Sequence, residues 1–248
     1  MMRTANPALN AKTFTQLQDH TQSEAMTING TVNKTGILLL LIILSASFVW
    51  SKFFRSWDPS VVTPWIMVGV IGGFIVSLIT IFNKRSAGIT APIYAILEGL
   101  FLGGISAIFE AAYKGIVIQA VALTFGTLFC LLFLYRSGII RATENFKLGV
   151  FAATGAIAMI YFLTIILSLF GIYVPFIHQS GVFGIGFSLF VVGIAALNLV
   201  LDFDFIEQGA AHGAPKYMEW YGAFGLIVTL VWLYIEILRL LSKLRSRN

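Results

Sequence analysis

Seven apolar runs, each close to 20 residues or longer and separated by short polar connections, constrain this chain more than any other feature of its sequence. A bilayer core of about 30 Å takes about 20 helical residues to cross. Inside it the backbone must satisfy its own hydrogen bonds, so only helices and closed barrels span. The runs are continuous and lack a period of two, which excludes a barrel. The expected spans are 35–53, 61–82, 90–112, 115–135, 148–174, 181–205 and 217–241, the fifth closed by Pro175. Hydrophobic residues make up 58% of the chain and charged residues 11%. A soluble domain has about 45–50% and about 25%, so a water-soluble surface cannot be built. The fold class is an all-α integral membrane protein with seven transmembrane helices, neighbours in sequence running antiparallel.

Three segments follow from this reading. Residues 1–35 form a polar, mobile tail, rich in Thr, Asn, Gln and Ala. They are not a signal peptide, because about thirty polar residues stand between the basic tip and the first apolar run. Residues 36–244 form the helical domain, and 245–248 a basic C-terminal tail. The single cysteine, Cys130, excludes an intramolecular disulfide framework. Three scattered histidines offer no paired ligand spacing for a transition metal. No phosphate loop, nucleophile elbow or dinucleotide fingerprint is present, so an enzyme is not expected.

The basic residues sit at membrane borders, which gives nucleic-acid binding no support. The side of the N-terminus holds Arg3, Lys12, Lys34, Lys84, Arg85, Arg136, Arg141, Lys147 and Lys216; the other side holds Lys52, Arg55 and Lys114. Positive-inside bias then places the N-terminus in the cytoplasm. Arg239, Lys243, Arg245 and Arg247 count against that bias if the seventh segment crosses, so either it crosses against its charge, or it is partly re-entrant, or the number of spans differs by one.

A carboxylate at mid-helix costs about 2.5–3.5 kcal/mol on insertion scales, so each one is a functional candidate. Glu98 lies eight residues into the third run with no basic residue within a turn; it either bonds a neighbouring helix or lines a polar pathway. Asp202 and Asp204 close the sixth run. Two positions on a helix subtend about 200°, so they face opposite ways. Glu236 lies deep in the seventh run, either paired with Arg239 three residues on or facing the acidic end of the sixth helix. Glycines at 69 and 73, and at 99 and 103, allow close helix approach, with internal packing favoured over dimerisation.

The stretch Glu98-Gly-Leu-Phe-Leu-Gly-Gly104, the Asp202-x-x-x-Ile206 ending and the run Trp232-Leu-Tyr-Ile-Glu236-Ile-Leu before a basic tail together resemble the Bax inhibitor-1 family, in a bacterial YccA-like branch. The resemblance covers about residues 36–244. It implies a last helix that is central and wrapped by the other six, and a pH-sensitive calcium leak. It also implies a proton-sharing carboxylate pair: Asp202 or Asp204 from the sixth helix and Glu236 from the seventh. Arg85 or Lys84 would be the basic latch, and calcium would be held transiently by Asp202 and Glu236, with no other cofactor. The bilayer, calcium and protons are the implied partners, and a bacterial inner membrane the implied location. Asp202 and Glu236 are 34 residues apart, which exceeds the family spacing by about seven residues, nearly two turns. Two carboxylates in a low-dielectric interior cannot easily both ionise and so share a proton. The alternative function is a membrane-embedded regulator that binds another membrane protein, such as a quality-control protease.

Overall fold

The structure is a computed structural model that describes residues 25–171 and 180–247. Its seven long helices are α1 (Ile28–Ser56), α2 (Thr63–Phe82), α3 (Ala87–Ala112), α4 (Ile116–Arg136), α5 (Glu144–Leu169), α6 (Val182–Ala211) and α7 (Met218–Arg245). All seven are long and apolar enough to cross a bilayer.

Local chemistry sets the ends. Thr27 caps α1, its hydroxyl accepting from the Gly30 amide at 3.0 Å. The α1 C-terminus closes on Trp57 in the left-handed region. Asp58 then caps a short 3₁₀ turn, accepting from the Ser60 amide and hydroxyl at 2.8 and 2.6 Å. Those two donors hold its carboxyl below the usual range. Pro64 sits in the first turn of α2, where its missing amide costs nothing. Gly115, at φ 79°, turns the chain into α4, and the Glu110 side chain accepts from the Gly115 and Val117 amides at that turn.

Several helix bounds differ from the sequence expectation. α1 begins at Ile28 rather than at Thr35, so Lys34 lies inside it. Polarity hides those first two turns, which are held by capping and by α7. α5 spans Glu144–Leu169 instead of 148–174, capped by Thr143 at its start and stopping before Gly171, whose φ is 75°. Pro175 and residues 172–174, where its end was expected, lie outside the described residues, as do 1–24 of the tail. α7 is a single continuous helix through Arg245, which removes the re-entrant alternative.

α7 is central. In its most apolar window 56% of residues are buried, against 11% for α5. It packs against α1, α3, α4 and α6, and α5 reaches it through Tyr161. α2 instead backs α3, so the last helix is not ringed evenly by all six others. One apolar cluster joins α4, α6 and α7 around Ile116, Leu199 and Leu233; another joins α1, α3 and α7 around Leu38, Tyr94 and Ile227.

Lipid tails are as apolar as leucine, so helix contact here depends on close packing and polar pairs. The glycines supply the first. A Cβ on Gly99 would lie 2.5 Å from the Ile42 carbonyl oxygen, and one on Gly69 2.6 Å from that of Leu97. Both GxxxG stripes therefore face neighbours in the same bundle. A buried Thr80–Thr90 hydrogen bond of 2.8 Å adds the second between α2 and α3.

Candidate functional site

α6 and α7 run antiparallel along one seam, and their ionisable residues are spread along it. Asp202 turns toward α7, where the Thr229 hydroxyl faces its carboxyl. Its Oδ2 is buried and has no hydrogen-bond partner among the described residues. Asp204, about 200° around the helix, turns the other way. It meets Lys147 of α5 at 3.0 Å and accepts from Gln208 at 2.7 Å.

Glu236 is 2% exposed. Its Oε1 accepts from the Tyr161 hydroxyl of α5 at 3.0 Å and from Arg239 Nη1 at 3.1 Å. The same Nη1 also donates to the Tyr161 oxygen at 3.1 Å. Glu236 Oε2 is buried and, like Asp202 Oδ2, lacks a partner among the described residues.

The expected carboxylate pair is therefore not a direct contact. Asp202 opposes Thr229, seven residues before Glu236, a rise of about 10 Å along α7. The excess in sequence spacing has this consequence: the hydroxyl of Thr229 stands where the pairing carboxylate was expected, and Glu236 is carried two turns further on. Each carboxylate therefore has its own station, Asp202 at Thr229 and Glu236 at Tyr161. Among the described residues, no group of three or more His, Cys, Asp and Glu is placed to hold a metal ion.

Neither border cation reaches these carboxylates. Lys84 lies over the Tyr221 ring, 5.3 Å from its centre, and Arg85 is exposed in the α2–α3 connection. The basic group that touches Glu236 is Arg239, one turn along the same helix. Glu98 is not on the seam either. It bonds Tyr94 within α3 and lies against Gly73 of α2. Cys130 is exposed on α4, and His212 Nδ1 lies 2.7 Å from the Gln208 carbonyl oxygen in the α6–α7 connection.

Glu219 is a buried acid that its sequence context does not single out. It is fully buried at the start of α7, ion-paired with Lys34 of α1 and with Lys216, the latter at 3.1 Å. It also accepts from the Thr27 amide and hydroxyl, both at 2.9 Å. The chain just before α1 is pinned beside it by a 2.7 Å bond from the Met26 amide to the Ala214 carbonyl. The Lys216–Glu219 spacing was visible but reads as an ordinary helix start; only the approach of α1 buries it.

At the other end of α7 three of the charges that upset the positive-inside count, Arg239, Lys243 and Arg245, are engaged within the protein. Lys243 donates to the Gly184 carbonyl at 3.1 Å and Ser188 at 2.8 Å. Arg245 donates to the Lys114 carbonyl at 2.7 Å and to Gln119 at 3.0 Å.

Among known families, the one described as Bax inhibitor 1 like matches residues 6–246 of the chain. No curated protein matches it.

Proposed function

Because the chain belongs to the Bax inhibitor 1-like family, we propose that this seven-helix integral membrane protein is a pH-sensitive calcium leak. The observation that carries the reading is two buried carboxylate oxygens without partners among the described residues, Asp202 Oδ2 on α6 and Glu236 Oε2 on α7, whose stations lie about two turns apart along α7. An unpaired carboxylate at that depth is costly unless it is used. Calcium takes six to eight oxygens, and a tight cage of that kind would stop conduction. Two separate stations, each with one open oxygen and a neighbouring hydroxyl (Thr229 or Tyr161), suit brief binding and hand-over instead.

Proton binding at either station removes the charge that attracts the cation, so flux depends on pH. In this reading the latch is Arg239, already on Glu236 Oε1, in place of Lys84 or Arg85. The same reading keeps the N-terminus in the cytoplasm of a bacterial inner membrane, on the excess of Lys and Arg around the first six spans.

The test is calcium entry into proteoliposomes with a trapped indicator dye, scanned from acid to mildly alkaline pH. Wild type is expected to give a pH-dependent flux whose midpoint moves in Asp202→Asn and in Glu236→Gln. An unchanged midpoint in both variants discards the two stations. No flux above protein-free liposomes at any pH discards the leak and favours the regulator that binds another membrane protein.

A further inference from the structure

A cavity of about 830 Å³ lies between α3, α5 and the C-terminal half of α7. That is within the size range of ligand sites, about 300–1,000 Å³. Among the described residues its walls carry two cations, Arg239 and Lys243, and one carboxylate, Glu236. Glu236 is already matched by Arg239 Nη1. Among the described residues, Arg239 Nη2 and Nε make no hydrogen bond, and its side chain is 41% exposed. Those two N–H groups form the side edge of a guanidinium, the geometry that grips two oxygens of a phosphate.

The cavity is amphipathic along the membrane normal. Arg239 lies six residues before the end of α7, about 9 Å in from it, and Ser242 and Lys243 lie further out. Phe101, Ile105, Trp232 and Ile235 line the deeper part. Among the described residues α3 and α5 do not pack closely on each other, which leaves the space between them open toward lipid.

From this arrangement we infer that the cavity is a binding site for an anionic phospholipid of the leaflet at the C-terminal end of α7. The headgroup phosphate sits on the Arg239 edge, in the field of Lys243, and an acyl chain runs along Trp232 and Phe101. A small soluble anion would gain nothing from the apolar wall, and a zwitterionic lipid would bring no net charge to Arg239 and Lys243. The site does not depend on the leak reading, and its test measures lipid affinity, not flux.

The test uses the purified full-length protein in detergent micelles, titrated with phosphatidylglycerol carrying brominated acyl chains. Bromine quenches tryptophan at contact, and Trp232 is in the wall. Phosphatidylcholine with the same chains is the comparison. Quenching is expected to saturate at about tenfold lower phosphatidylglycerol than phosphatidylcholine, the size of a lost charge-assisted hydrogen bond. Arg239→Gln should remove that preference, and Arg239→Lys should keep part of it, since charge remains but the two-pronged edge is gone. Trp232→Phe, which leaves Arg239 in place, should abolish the headgroup-dependent quenching. Equal quenching by the two lipids overturns the proposal, as does an unchanged preference in Arg239→Gln or persistent headgroup-dependent quenching in Trp232→Phe.

Discussion

Replacing Glu219 with Ala is expected to destabilise the protein by about 3 kcal/mol, the lower end of the range for breaking a buried ion pair. The carboxylate is fully buried, but its partners are partly in solvent: the Lys34 side chain is 17% exposed and that of Lys216 51%. Solvent screening therefore takes something from each pair. What remains is the desolvated Lys34 and the Thr27 amide, both left without their acceptor. The loss should be local first. Thr27 and Met26 tie the start of α1 to the α6–α7 connection, so protease cleavage near residue 27 should rise before global unfolding. Unfolding by SDS titration in mixed micelles gives the equilibrium number. Glu219→Gln keeps an acceptor for Thr27 and should fall between wild type and Ala. Gly30→Ala should resemble it, because a Cβ there would overlap the Glu219 carboxylate. A change below about 1 kcal/mol in Glu219→Ala, as for an exposed pair, would show that the cluster does not hold α1 on α7.

Gly103→Leu is expected to cost about 3 kcal/mol or more, at the upper end for overpacking. A Cβ at this position would lie 2.7 Å from Ala46 Cα and 2.9 Å from its carbonyl carbon, on the backbone of α1. Backbone cannot rotate aside as a side chain can, so α1 and α3 must separate along the whole crossing. That also opens the contact of Gly99 with Ile42 one turn away. Gly104 is the useful control: its nearest neighbours are side-chain atoms of Ile66 on α2, which can shift rotamer, so Gly104→Ala should cost less than Gly103→Ala. The same SDS titration measures both. Equal costs would mean that the α1–α3 crossing is looser than its geometry.

Sequence and structure agree where one dimension carries the information. Continuous apolar runs set the number of helices, and the 200° between Asp202 and Asp204 set their opposite directions on α6. They part where a contact depends on how far one helix slides along another. The spacing of 34 residues already raised the prospect of Glu236 lying too far along. It could not say that Thr229 would face Asp202, or that Tyr161 of a different helix would take the carboxylate. Glu98 shows the same limit: its depth was legible, but its neighbour, Gly73 of α2, was not. Glu219 is the opposite error, a residue with the look of a solvated helix start that the fold buries completely.

What the sequence by itself determined is the class of solvent and the shape it imposes. Few charges, seven runs long enough for a bilayer and glycines at helical spacing allow little other than a packed helical bundle, because lipid leaves backbone amides no other partner. The tertiary structure alone decided the pairing of charges: Glu219 with Lys34, Asp204 with Lys147, Glu236 with Arg239 and Tyr161. Each falls off over a few ångströms and depends on axial offsets between helices, which helical periodicity does not encode.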